Sequence, residues 1–553
     1  MPLHIADTID TDVLIIGGGG AGLRAAIEAR RRGAAVLILS KSPVGYANNT
    51  AVALGRMAAA TGGGNPQDGP DGHFRDTVLA GRFLNDQALV EMMTQGGRDV
   101  VADLSALGVE FARRDGKIEY SQVAGHSHPR TTGTKAGRGL GFTRPLKQSA
   151  LDLGIRMEEG VLTTRLITSG GAISGAAAID AKGAIRPYRA KAVVLAAGGL
   201  GQIYEHTDNA KGICGDGFSL AYEVGAPLRD MEFVQFERTF TDVPAALAIS
   251  PEAILRNRLG QNIPEKHGLD TPMKMTRDAV SQAIMKDVKA GLGVDGCAIY
   301  DLSHLPPDRL ERLAASTDRR IAHRIEAGER WFKTLPVVHF FMGGVVIDGR
   351  CATAIEGLYC AGEVAGGIHG ANRLGSNALL DIFVFGRVAG AEAGQYVKRR
   401  ALAGIPKDIA TERARLEALT GPGTGEDVRA LRLSLQRTMW QRCGILRNGD
   451  GLKEGLRELK NIRDNLAAAR VESGPALARL VETRFMATTA EMILRAALMR
   501  TESRGAHYRE DYPQEDNGRW LQNILVSRKG EEMSLALKPV ALTSMAPEVA
   551  ERR

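Results

Sequence analysis

The chain opens on an abrupt change of periodicity. The apolar run Val13-Leu14-Ile15-Ile16 passes straight into Gly17-Gly18-Gly19-Gly20-Ala21-Gly22, after which apolar positions recur at helical spacing from Leu23 to Arg31. Such a pattern predicts a buried strand, a tight turn and a helix. A second apolar run, Ala35-Val36-Leu37-Ile38-Leu39, follows Arg32-Gly33 and completes a βαβ unit. Residues His73 to Glu110 alternate at helical spacing and predict two helices, whereas Leu162-Thr163-Thr164 and Ala176-Ala177-Ala178-Ile179 have strand texture. Ala192-Val193-Val194-Leu195-Ala196-Ala197 reads as another buried strand, ended by Gly198-Gly199, and Gly215-Asp216-Gly217 opens an apolar helix over Phe218–Val224. From Thr241 to Pro336 charged helical segments and Pro244, Pro251, Pro264, Pro272, Pro306 and Pro307 mark an insertion. Glycine-turn and strand texture resumes at Gly343-Gly344-Val345 and closes with Gly357–Glu363; Thr411 to about Met499 is helical.

The first glycine turn has the chemistry of a phosphate cradle. Gly17 lets the chain turn, Gly19 lets backbone approach a diphosphate, and Gly22 lets the helix pack close to the strand. The free N–H groups at the helix start then face an anion. A glycine pattern alone is weak in a chain with 66 glycines, but the βαβ context supports a dinucleotide site. The second strand ends in Ser40-Lys41 rather than in the acidic residue that would hold a nicotinamide cofactor's ribose, which disfavours NAD. Arg130–Gly141, rich in Thr, Gly and basic residues, reads as a loop lying over a ligand.

Composition narrows the class. At 553 residues and 44% hydrophobic content the chain can bury more than one core. The five cysteines are scattered without a CxxC pair, so no disulfide framework, zinc site or iron–sulfur site is predicted, and reduced thiols in the cytoplasm are expected. No apolar run reaches the roughly 18 residues of a membrane span, and the first strand begins too early for a leader, so neither membrane insertion nor export is expected. The net charge of +7 is spread thinly, with Arg30-Arg31-Arg32 and Lys398-Arg399-Arg400 as solvated helix ends. It suits anionic small molecules and excludes nucleic acid as an expected partner.

A long series of ordered motifs then carries a resemblance. Asp12–Gly22, Ser40-Lys41, Ala196-Ala197-Gly198-Gly199, Thr207-Asp208-Asn209, Gly215-Asp216-Gly217 and Asp230-Met231-Glu232 lie in its first half. His339 with Met342-Gly343-Gly344, Gly362-Glu363, His369–Gly375, Leu379-Leu380-Asp381, Arg447–Asp450 and Arg500–His507 lie in its second. The chain resembles the flavoprotein subunits of succinate dehydrogenase and fumarate reductase, with the related L-aspartate oxidases, nearly end to end. The resemblance implies an α/β fold: a Rossmann-like FAD-binding domain (residues 1–240 and 343–405) split by an inserted α+β capping domain (241–342), then a C-terminal helical domain (406–553). It implies FAD contacts at Gly17, Gly19, Gly20, Ala21, Gly22, Ser40, Lys41, Asn48, Asn49, Thr50, Gly55, Ala197, Gly198, Asp216, Glu363, Arg373, Ala378 and Leu379. On the residues alone, Asp216 and Glu363 also read as helix N-terminal acids.

The reaction implied is hydride transfer between flavin and a carbon of a small carboxylic acid, with Arg373 clamping carboxylate and His339 binding substrate. By itself His339, between Val337-Val338 and Phe340-Phe341, reads as a core histidine on a strand; the following Met342-Gly343-Gly344 favours the site. Three departures stand out. Asn49 occupies the position of the histidine that bonds covalently to flavin, so FAD is expected to be non-covalent. The family's Gln-Phe-His-Pro-Thr reads Gln235-Phe236-Glu237-Arg238-Thr239, which places a carboxylate where a dicarboxylate would bind and repels it by several kcal/mol unless it is neutralised, for example by Arg238. The Arg-Gly-Glu-Gly-Gly loop is missing, leaving Arg256 or Arg258 as candidate proton donors or as exposed arginines. These departures predict an altered substrate: a small acid other than succinate or fumarate, carrying an amine, a hydroxyl or a single carboxylate, with Glu237 suiting a cationic or hydroxylated group. Plain fumarate reduction through Arg256 or Arg258 is the alternative within the class. A flavin relay docked to an iron–sulfur electron-transfer subunit, with a vestigial substrate pocket, is the alternative outside it, and would set the chain at the periphery of a membrane complex. On acid precipitation of the yellow protein, the flavin is expected in the supernatant; flavin left in the pellet would overturn the non-covalent expectation.

Overall fold

The computed structural model describes residues 3–243, 246–271, 275–422 and 425–547, so Pro244 and Pro272 lie outside the described residues. The strand at Ile9–Ile16 is followed by the helix Gly20–Arg31 and the strand Val36–Ser40. Val13, Leu14, Ile15 and Ile16 are all buried, and each contributes about 1.5–3 kcal/mol of apolar burial. Parallel neighbours on both sides make alternation impossible here, which is why the run is apolar throughout.

Ile9–Ile16 pairs in parallel with Val36–Ser40 on one side and with Ile185–Leu195 on the other. Val36–Ser40 in turn pairs in parallel with Arg156–Glu159. The long strand Ile185–Leu195 serves two partners: its first half pairs antiparallel with Ala172–Ile179, and its last residues pair in parallel with Leu358–Cys360. Leu162–Ser169 completes this seven-stranded sheet. The strand Leu358–Cys360 arrives only after the insertion, so the split Rossmann-like domain expected from sequence is what the sheet shows.

The insertion is built on a four-stranded antiparallel sheet in the order Val234–Phe240, Trp331–Phe341, Ala298–Asp301, Ile254–Arg256, with the helix Arg277–Lys289 against it. Its first strand begins at Val234, upstream of the expected boundary at 241. The reason is strand pairing: Val234 pairs with Phe341 and Phe240 with Thr334, so the whole strand belongs to the cap sheet.

Two further expectations are corrected. Residues 70–106 form three helices rather than two, Pro70–Ala80, Gln87–Gln95 and Gly97–Ala106. The C-terminal region is helical through Met499, but Gln522–Lys529 and Glu532–Pro539 then form a hairpin that pairs onto Leu228–Arg229. The available signal was the apolar run Ile524-Leu525-Val526 and the alternating Glu532–Lys538 on either side of Gly530. Among the described residues no helix is long and apolar enough to cross a membrane. All five cysteines are buried and free.

One packing contact sets the geometry at the heart of the molecule. The helix Asn377–Tyr396 lies against Gly20–Arg31, and Gly386, Gly390 and Gly394, four residues apart, face Ala21, Ala25 and Ala29. A Cβ at Gly390 would lie 2.2 Å from the carbonyl oxygen of Ala25, and one at Gly386 would lie 2.8 Å from that of Ala21. Only bare backbone allows this approach. Gly390→Val is therefore expected to cost about 3 kcal/mol in urea unfolding and to reduce flavin occupancy; wild-type stability would contradict the contact.

Candidate functional site

A cavity of about 910 Å³ opens where the glycine turn, the Ala196–Gly198 strand end, Gly362-Glu363, the start of the helix Asn377–Tyr396 and the cap segment 246–251 converge. Gly17 turns the chain at φ +121°, and a Cβ there would meet the Ala196 carbonyl oxygen at 2.1 Å. Gly22 does not line the cavity; a Cβ there would lie 2.0 Å from the Gly17 carbonyl oxygen, so its role is to seat the helix on the turn. Gly19 differs, because a Cβ would meet nothing nearer than Asn48 at 3.8 Å. The helix it opens has no cap from Gly19 itself; its Gly20 N–H donates to Thr50 Oγ1 at 3.2 Å, and its positive dipole end faces the cavity. The helix Asn377–Tyr396 also begins without a side-chain cap, at Ser376 with φ +65°, and brings Ala378 and Leu379 to the same space.

Polar groups line the cavity at defined points. Lys41 Nζ lies 3.2 Å from Asp216 Oδ2 and 2.7 Å from Glu482 Oε1. Burial disfavours the ammonium, but Asp216, Cys214 and Glu482 together hold its pKa above the ordinary value. Burial raises Asp216 despite Lys41, and its Oδ1 is buried without a partner. Asn49 Nδ2 donates to Asn209 Oδ1 at 2.9 Å and to Glu363 Oε2 at 3.3 Å, and its Oδ1 accepts from the Ala210 N–H. An amide so held offers no nucleophilic atom to a flavin. Glu363 also accepts from the Phe341 N–H at 3.1 Å, yet burial pushes its pKa from the ordinary 4.5 to about 7.

Toward the cap, Arg373 is 4% exposed, and its guanidinium lies 4.5 Å above the Phe340 ring. Its Nε has no hydrogen-bond partner, and among the described residues it forms no ion pair. Burial and the neighbouring Arg277 push its pKa down to about 9, against the more distant charges of Glu363, Glu237 and Asp208; it is still protonated at neutral pH, a buried cation outside any direct ion pair. His339 Nδ1 lies 2.7 Å from Asp208 Oδ2, which fixes the ring and leaves Nε2 for a ligand.

Besides Gly22, three residues expected at the site do not reach the cavity. Arg256 is held by Asp301 at 2.6 Å and by the Gly260 carbonyl, and Arg258 donates to the Gly291 carbonyl, because both sit on the far edge of the cap sheet. Glu237 is 2% exposed but faces Arg277, whose Nε lies 2.5 Å from its Oε2. Arg238 is the more distant guanidinium, at 3.6 Å, and the closer bond to Glu237 comes from its backbone N–H at 3.0 Å. Burial would raise Glu237, but Arg277, then Arg238 and His339, hold it below its ordinary value. Arg277 lines the cavity and was missed by sequence reasoning. Its signal was a basic residue at the first position of a helix, where the dipole disfavours positive charge.

Comparison with known proteins agrees with this geometry. A family profile described as an FAD binding domain matches residues 12–379, and one described as the fumarate reductase flavoprotein C-terminus matches residues 432–553. An uncharacterized FAD-dependent oxidoreductase of Methanocaldococcus jannaschii is 37% identical over 95% of this chain and 97% of its own. A fumarate reductase (CoM/CoB) polypeptide of Methanothermobacter marburgensis is 34% identical over 95% of this chain and 98% of its own. The chain belongs to the succinate dehydrogenase and fumarate reductase flavoprotein family. E. coli quinol fumarate reductase FrdA superposes with a TM-score of 0.88 at 28% identity, covering 98% of both chains.

The flavoprotein is thus a flavin-dependent oxidoreductase whose cofactor is FAD, and the cavity fits that group. The positive end of the helix beside bare Gly19 suits a diphosphate. The partnerless Asp216 Oδ1 suits a hydroxyl donor, as does Glu363 once ionised. The raised pKa of Glu363 also has a thermodynamic consequence. The folded apoprotein retains a proton that the unfolded chain releases, so this group makes stability fall as pH rises from about 4.5 to about 7. Urea unfolding of the apoprotein should show wild type losing on the order of 3 kcal/mol relative to Glu363→Gln across that window; parallel pH profiles would refute the assignment.

Proposed function

We propose that the flavoprotein transfers a hydride between FAD and a small carboxylic acid. The observation that carries this reading is Arg373, buried, outside any ion pair and with its Nε unpartnered, in the cavity that His339 also lines. A guanidinium in a low-dielectric wall is stabilised by a bound carboxylate, which it can grip through two N–H groups. FAD supplies two-electron hydride chemistry when bound. Arg373 fixes the acid group, and the Nε2 of His339, steadied by Asp208, offers a second contact. The cap segment 246–251 forms part of the wall around the acid.

Gln235 links the two halves of the site. It lies on a cap strand, yet its Nε2 donates to Asn372 Oδ1 at 2.7 Å and to the Arg373 carbonyl at 2.9 Å. Its Oε1 accepts from Arg277 at 3.2 Å. The cap therefore registers against the loop that carries the clamping arginine. A built site of this kind favours substrate chemistry over a vestigial pocket. Docking to an electron-transfer subunit remains compatible with it, since named relatives are subunits of larger enzymes.

Arg373→Ala should keep its flavin but lose about 10²–10³-fold in the rate at which small acids bleach or reoxidise it anaerobically. An unchanged rate would remove Arg373 from the proposed role.

A further inference from the structure

The charges around the cavity do not sum to a dicarboxylate site. Arg277 directs its charge to Glu237 across 2.5 Å, and its Nη1 to Gln235. His339 is paired with Asp208. Glu363 is a further acid in the wall. That leaves Arg373 as the one buried cavity guanidinium, among the described residues, outside an ion pair; Arg56, which also lines the cavity without an ion pair, is exposed to solvent. A second carboxylate placed beside Arg277 would also approach Glu237, and two carboxylates sharing a buried site repel strongly.

Another part of the lining has a different character. Leu247, Ile249 and Pro251 from the cap, with Val123 and Leu54, present apolar surface to the cavity. The segment 246–251 is held in place by backbone: the Ala248 N–H donates to the Arg238 carbonyl at 2.9 Å, and the Ser250 N–H donates to the Tyr300 hydroxyl at 3.1 Å. Its carbon-rich face is therefore fixed toward the cavity rather than folded into the cap core.

We infer that the cavity takes acids with a single carboxylate and an apolar arm, 2-enoates or their saturated counterparts, with the carboxylate on Arg373 and the arm against Leu247 and Ile249. This deepens the proposed hydride-transfer reading and rests on it. In the reducing direction the carbon–carbon double bond loses its π bond, a hydride from reduced FAD adds at Cβ, and a proton from water adds at Cα. Two electrons leave the flavin, and the saturated acid is the product. Glu237 is a positioning residue in this scheme. It neutralises Arg277 and so sets the number of carboxylates the site accepts.

Equilibrium binding gives a test that does not depend on turnover. The FAD-loaded protein is titrated calorimetrically with butyrate, 3-phenylpropionate and succinate, and the dithionite-reduced protein is mixed anaerobically with crotonate, cinnamate and fumarate. Both monocarboxylates should bind at least tenfold more tightly than succinate, and crotonate or cinnamate should reoxidise the flavin faster than fumarate does. In Glu237→Gln the released charge of Arg277 should shift the succinate-to-butyrate affinity ratio at least tenfold toward succinate. Tighter binding of succinate by wild type, with fumarate the fastest oxidant, overturns the single-carboxylate inference and leaves hydride transfer standing. Failure of every acid to bind or to reoxidise the flavin overturns both. An unshifted ratio in folded, flavin-loaded Glu237→Gln removes Glu237 from its proposed part.

Discussion

The contact between the helices Gly20–Arg31 and Asn377–Tyr396 is the constraint on which the site depends. Three glycines on one helix meet three alanines on the other at a separation that a single added Cβ would prevent. Each helix has its first turn at the same cavity. The packing of their bodies thus aims two positive dipole ends at one volume. It also brings the loop bearing Arg373 and the turn bearing Gly17 to one cavity, although the two are far apart in the chain.

A second layer of organisation is electrostatic. Buried charges around the cavity come in matched sets: Lys41 with Asp216 and Glu482, Arg277 with Glu237, His339 with Asp208. Removing one member of such a set leaves the other uncompensated, at a cost of about 3–5 kcal/mol, so these pairs resist piecemeal change. Arg373 breaks the pattern, and an unmatched buried cation is stabilised when something outside the chain supplies the anion.

Much of this was legible in the sequence. The cradle could be read because Val13–Gly22 is contiguous and each glycine has a local backbone reason. The split of the nucleotide-binding domain showed as a change of texture between Thr241 and Pro336. The register of the cap was less visible, since Val234–Phe240 is assigned to the cap only by pairing with a strand about a hundred residues later. The same limit explains Arg277. Glu237 and Arg277 are forty positions apart, and nothing local says that they touch; the odd placement of a basic residue at a helix start was the sole trace. Arg256 and Arg258 were chosen because they occupy the stretch of a missing motif, but sequence order fixed neither their direction nor their distance from the cavity. The glycine stripe at Gly386, Gly390 and Gly394 was readable from its spacing of four, and went unread amid so many other glycines.

Lys41 lies in the first tenth of the chain and bonds to Glu482, 441 residues later. The hairpin at Gln522–Lys529 pairs with Leu228–Arg229, again across a long separation. During synthesis the glycine turn emerges early, but the partner of Lys41 is still within or behind the ribosome when most of the nucleotide-binding fold is already outside. The newborn protein therefore carries an unfinished groove until its last fifth is released.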